Sequence, residues 1–181
     1  LEAMVFEDGS DMRQMFTSKK TYVNSVLAEL YGLPTDGLNA ETFSPVTLPA
    51  EMPRAGILTH AAFLTKHANS DSTSPTHRGL FIRQGMLCEP VSAPPPTIDT
   101  TVPAAEPDAG IVTYRERLET YTNSSPVCAG CHLIMDPLGF TFEGFDAIGR
   151  QRELDNGAPV NTTSTVYEMP LRSISIALTS N

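Results

Sequence analysis

Apolar residues recur at every third or fourth position in several stretches of the chain, and each stretch is closed by a breaker. Between Ser18 and Tyr31, the residues Tyr22, Val23, Val26, Leu27, Leu30 and Tyr31 fall on one helical face. Ser18 can cap that helix, Gly32 stops it and Pro34 prevents its continuation, so the spacing predicts the best helix of the chain here. A second helix is predicted over 54–67, running through His60, from Ile57, Leu58, Ala61, Phe63 and Leu64. A third opens at Ser74, with Pro75 at the first helical position, and runs to about Leu87. Thr113 and Glu116 form a capping box for a fourth, ending near Thr122, with Tyr114, Leu118 and Tyr121 on one face. Shorter elements are expected as well: a helix near 10–16, an extended piece at 43–48, and a helix around Cys128 that Asp136-Pro137 ends. Residues 150–160 read as a hairpin, because Asp155, Asn156 and Gly157 tolerate positive φ. Ala177 to Asn181 looks like the start of another helix.

Composition changes this picture in one respect. The hydrophobic fraction of 40% suffices for a core, but 15 Pro and 12 Gly are more than a helical bundle needs. Six of the prolines (Pro90, Pro94, Pro95, Pro96, Pro103 and Pro107) crowd into 89–110, which is predicted to be extended, either as a linker between lobes or as a strap over the surface. The expected fold is therefore mainly α, with a helical lobe, long Pro-rich irregular segments and a small β-hairpin near 150–160. The chain 1–181 reads as one unit with sub-lobes 1–88, 89–110 and 111–181. A net charge of −9 argues against nucleic acid and anionic membrane surfaces, and it suits a partner protein with a basic patch. No apolar run is long enough to span a bilayer.

The chemistry concentrates in Cys128-Ala129-Gly130-Cys131-His132. Cys-x-x-Cys-His is the pattern of c-type haem attachment: two thiols add to the haem vinyl groups, and the adjacent imidazole faces the iron as its proximal ligand. A zinc half-site, a redox Cys-x-x-Cys and chance are the competing readings. One covalent haem c per chain, attached outside the cytoplasm, implies a periplasmic or extracellular protein. Leu1 begins within polar, acidic sequence and no signal peptide is visible, so the chain is expected to be a mature form or a fragment.

Several further stretches carry a resemblance: Thr21 to Leu33, Arg54 to His60, Thr73 to Gly79, Pro94 to Pro96, and above all Cys128 to Arg150 with its Met-Asp-Pro-Leu-Gly-Phe and Glu-Gly-Phe-Asp-Ala-Ile-Gly-Arg. In these the chain resembles the exported, multidomain cytochrome-like proteins of unknown function that are abundant in planctomycetes and myxobacteria. The resemblance implies a haem protein outside the cytoplasm and a fragment of something longer. It supplies no activity.

His132 is the candidate proximal ligand, and His60 the first candidate for the sixth, since relatives carry His or Met at that place in the resembling segment. Met169 and an open site are the alternatives; Met135 reads as core, and His67 and His77 as exposed. Arg54, Arg78, Arg117 and Arg150 are candidates for haem propionates or ordinary surface ion pairs. Phe140, Phe142 and Phe145 suit either a haem edge or a core. Glu143 and Asp146 suit a turn cap better than a calcium site. Cys88 reads as a buried small hydrophobe at a helix end, or as half of a disulfide to another segment or chain. The expected function is single-electron transfer by a monohaem cytochrome, alone or as a subunit of a larger redox or membrane complex. A haem enzyme acting on peroxide or a small oxidant, and a structural docking subunit, are the alternatives.

Overall fold

Two antiparallel helices lie at the centre of the architecture. The computed structural model describes Phe6, residues 11–104 and 110–166, and the backbone of 169–171; the end of the Pro-rich stretch and the expected helix at Ala177 lie outside the described residues. Helix α4 (Pro75–Phe81) starts as expected, with the Ser74 hydroxyl accepting from the His77 N–H and Pro75 in the first turn. It continues as one π-helical turn, Ile82–Met86. Its partner α6 (Pro126–Phe140) carries the Cys-x-x-Cys-His segment. α6 does not end at Asp136-Pro137 but passes through Pro137. That residue removes the N–H that would reach the Leu133 carbonyl, at a cost of about 3 kcal/mol. Burial of Met135, Leu138, Gly139 and Phe140 on the same turns offsets it, and the Arg83 guanidinium donates to the Ile134 carbonyl beside the break. The two helices approach so closely that a methyl group on Gly79 would land on the Met135 carbonyl, and one on Gly139 on the Pro75 carbonyl.

The N-terminal region departs from the predicted pattern. α1 is short (Gln14–Thr17), and the stretch expected as one helix from Ser18 splits. Lys20–Val23 forms strand β1, paired antiparallel with β2 (Ser44–Thr47), where extended structure was expected. Only Ser25–Tyr31 is helical, as α2. The reason is local. Asn24 accepts from the Leu27 N–H and so caps a helix at its own position. Before it, Thr21 and Val23 are buried while Tyr22 points out, a period of two with β-branched residues inside. The helix predicted over 54–67 is likewise broken at His60. Ile57–Thr59 is a 3₁₀ turn, His60 is extended, and α3 covers Ala61–Lys66. The Thr59 hydroxyl accepts from the Ala55 N–H and donates to the Ala55 carbonyl, which tightens the chain ahead of the break.

α5 (Tyr114–Asn123) opens on the expected capping box of Thr113 and Glu116. The expected hairpin is β3 (Leu154–Asp155) with β4 (Ala158–Pro159), turning through Asn156 and Gly157, both at positive φ. A further hairpin pairs β5 (Ser164–Val166) with β6 (Met169–Leu171). The protein is thus mainly α with small two-stranded sheets. Of the Pro-rich stretch, residues 89–104 form neither helix nor strand. They lie against α5, where the Tyr121 hydroxyl donates to the Asp99 carbonyl and Arg117 to the Pro103 carbonyl. Among the described residues no helix is long and apolar enough to cross a membrane.

Two apolar clusters form the core. One joins Leu58, Leu64 and Ile82 to Leu138, Phe142, Phe145 and Val166, residues from both sides of the strap. The other holds Val23, Ala28, Tyr31, Leu48 and Ala61. Two of the polar groups threaded through this core, Arg78 and Glu143, each have one buried atom, Nε and Oε1, that lacks a hydrogen-bond partner among the described residues. Arg78, fully buried, donates to the carbonyls of Leu64, Phe142, Phe145 and Asp146, and burial lowers its pKa to about 10. Beside it, burial pushes the Glu143 carboxyl up while Arg152 and Arg78 pull it back. The Thr73 hydroxyl and Arg152 guanidinium both donate to Glu143.

Candidate functional site

The pentapeptide occupies the first half of α6, so helical spacing places its reactive groups. Cys128 and Cys131 lie about one turn apart, both as unpaired, half-buried thiols. His132 borders a cleft of about 470 Å³ between α5, α6 and the segment 163–165. Leu133, Pro137 and Phe140 give the cleft apolar surface, while Arg115, Asn123 and Thr165 are among its polar lining residues. Leu133 is 65% exposed, a large apolar side chain at an open edge. The thiols themselves do not line the cleft.

His132 is held from behind. Its Nδ1 lies 2.9 Å from Asp136 Oδ2, one helical turn further on. Asp136 is only 3% exposed, and its other oxygen accepts from the Thr76 hydroxyl of α4 at 2.8 Å. A carboxylate offers lone pairs alone, so the ring nitrogen facing it carries the proton. In the neutral ring that leaves Nε2 as the nitrogen with a free lone pair, the form a metal ligand requires.

Arg115 shapes the cleft wall. Its guanidinium lies 4.1 Å from the centre of the Phe140 ring, donates to the carbonyls of Asn161 and Thr163, and pairs with Glu119. Arg115, Asp136 and Thr76 were not singled out by the sequence. The four-residue step from His132 to Asp136 is a signal that could have found the second of these, had the helix not been expected to end at Asp136-Pro137. Nothing local marks Thr76, which lies sixty positions from Asp136.

The remaining candidates distribute as follows. His60 does not line the cleft that His132 borders. It occupies the cap position of α3, half-buried, where burial and then the charge of Arg54 lower its pKa. Met169 stands opposite Val166 in the β5–β6 pair, and its side chain lies outside the described ones. Met135 is buried in the packing of α6. His77 is exposed, whereas His67, expected to be exposed, packs between Phe63 and Phe81 with ring centres 4.8 and 4.7 Å away. Cys88 is exposed, not buried as expected: it follows the end of the π turn, at a φ of 56°. Arg54 and Arg78 are neither surface ion-pairing groups nor cleft residues. Arg54 donates to the carbonyls of Thr59 and Gly149 and lies over the Tyr31 ring. Arg117 is taken up by the strap, and Arg150 is exposed. Phe140 lines the cleft, while Phe142 and Phe145 are core. Asp146 caps its turn, accepting from the N–H groups of Ile148 and Arg150. Among the described residues, no group of three or more His, Cys, Asp or Glu side chains is placed to hold a metal ion.

Neither a curated protein nor a solved structure matches the chain. A family profile matches residues 54–155, more than half of the chain, and the stretch includes His60, Thr76, the pentapeptide and Asp136. The chain therefore belongs to the family described as PSCyt3, protein of unknown function (DUF1588).

Proposed function

We propose that this chain is a monohaem c-type cytochrome that transfers single electrons outside the cytoplasm and docks on a redox partner protein. The observation that carries the reading is the donor set on α6. Two unpaired thiols at the attachment spacing are followed directly by an imidazole that borders a partly apolar cleft with Nε2 left for a metal. A c-type haem fits these residues. Cys128 and Cys131 would hold it covalently, His132 would be its proximal ligand, and Leu133 and Phe140 would give it apolar contact. Asn123 and Thr165 are the polar groups available to its carboxylates, while the Arg115 guanidinium adds positive charge to the wall although its donors are already engaged. Bound there, the group would supply one reversible electron. The chain's own part is to fix the iron's ligand, to exclude water from one face, and to set the potential. Such a site needs one or two protein ligands to iron rather than the three or four of a zinc centre. The partner, on the charge of −9, presents a basic surface.

The lining of the cleft favours one second reading. Among the described residues it contains one histidine, His132, and no methionine; the Met169 side chain lies outside them. His60 would have to serve as sixth ligand from outside it, so an open distal position that meets peroxide or a small oxidant is the alternative.

The test is expression of the full chain with a bacterial haem-attachment system in the periplasm, followed by intact-mass measurement under denaturing conditions. The expected result is one haem per chain, lost when Cys128 and Cys131 are both replaced by Ala. A chain that emerges without haem and with stoichiometric zinc overturns the proposal. For the loaded protein, a reduced spectrum unchanged by carbon monoxide supports electron transfer, and ready carbon monoxide binding with peroxidase turnover supports the second reading.

A further inference from the structure

We propose that Asp136, oriented by Thr76, is a positioning residue that sets the tautomer of His132 and lowers the reduction potential of the iron bound to it. This rests on the haem reading above and deepens it. The argument starts from geometry: the Asp136 carboxylate is engaged at both oxygens, by the His132 ring at 2.9 Å and by the Thr76 hydroxyl at 2.8 Å. The two partners come from different helices, so the carboxylate cannot rotate without losing one of them.

The electrostatics follow from burial. Asp136 is 3% exposed, so its charge acts on the imidazole through a medium less polarisable than water. A ring that donates Nδ1–H to a buried carboxylate is a more electron-rich donor at Nε2. An electron-rich ligand stabilises the ferric ion, with its extra positive charge, more than the ferrous ion, and the potential falls. Had a backbone carbonyl stood in the same place, the tautomer would be the same but the full negative charge would be absent. The carboxylate therefore predicts a low-potential site whatever occupies the other face of the iron.

Three variants test this: Asp136→Asn keeps the shape and removes the charge, Asp136→Glu restores the charge, and Thr76→Val removes only the hydroxyl. Two readouts are used. In the haem-free chain, nitrogen NMR of His132 is expected to show the Nδ1–H form in the wild type and loss of that preference in Asp136→Asn. In the haem-loaded chain, spectroelectrochemistry is expected to show a rise in potential for Asp136→Asn equivalent to at least tenfold in the ratio of reduced to oxidised protein at a fixed poise, ~59 mV for one electron. A smaller rise is expected for Thr76→Val, and a return towards wild type for Asp136→Glu. A haem-loaded Asp136→Asn protein with the wild-type potential overturns the inference while leaving the haem reading intact. A wild-type chain that attaches no haem overturns the haem reading, and the NMR measurement then decides the tautomer by itself.

Discussion

His60 shows how one residue's surroundings become a property of the whole fold. Burial and Arg54 hold its pKa below the ordinary 6.5, so the folded chain binds the proton less readily than the unfolded chain. The sign follows from linkage. Above 6.5 neither state binds the proton and His60 costs nothing. As the pH falls through 6.5 the unfolded chain takes up a proton that the folded chain refuses, and stability declines until the pH passes the lowered value. Urea unfolding of the haem-free chain at about pH 7.5 and about pH 5.5 is expected to give a lower midpoint at the acid value, with a smaller loss in His60→Gln. His67 is shifted in the same direction, so the variant removes part of the slope and not all of it. At this scale the sequence offers candidates wherever chemistry is local: Cys128, Cys131 and His132 are nominated by spacing alone. It was silent on Thr76, because the contact with Asp136 exists only once two distant helices have met. It misjudged Arg54 and Arg78, since no pattern distinguishes a surface arginine from one whose donors are spent on buried carbonyls.

Elements were legible where a cap writes their start into the chain. Thr113 with Glu116, and Ser74 with Pro75, opened α5 and α4 where expected. The errors came where two periodicities overlap. Thr21, Tyr22 and Val23 satisfy a helical face and an alternating strand equally, and the Asn24 cap decides between them. Pro137 misled in the other direction, because a breaker can be tolerated when the turns beyond it are buried. The α4–α6 pairing yields a test whose sign is informative. In an exposed helix, Gly→Ala would gain about 0.5–1 kcal/mol. At Gly79 or Gly139 the added methyl meets a backbone carbonyl that cannot swing aside. Each Ala variant is instead expected to lose about 1–3 kcal/mol or more, read as a lower urea midpoint at unchanged slope.

The whole molecule is tied across its Pro-rich stretch. Leu58, Leu64 and Ile82 share one cluster with Leu138, Phe142 and Phe145, so neither side encloses that core alone. A protease site engineered between Thr101 and Val102 and then cut is expected to leave two fragments that co-elute under native conditions and part in denaturant. Fragments that separate without denaturant would mean two independent lobes. The strap has a second effect on the molecule. Tyr121 and Arg117 fasten it to α5, and the same helix sends Arg115 and Asn123 to the cleft wall. The strap thus braces one side of a short helix whose other side forms the cleft wall beside the Cys-x-x-Cys-His segment. Releasing that brace by the same cut should raise hydrogen exchange in α5 ahead of α6, so the fastening of the strap is also part of what holds the cleft wall in place.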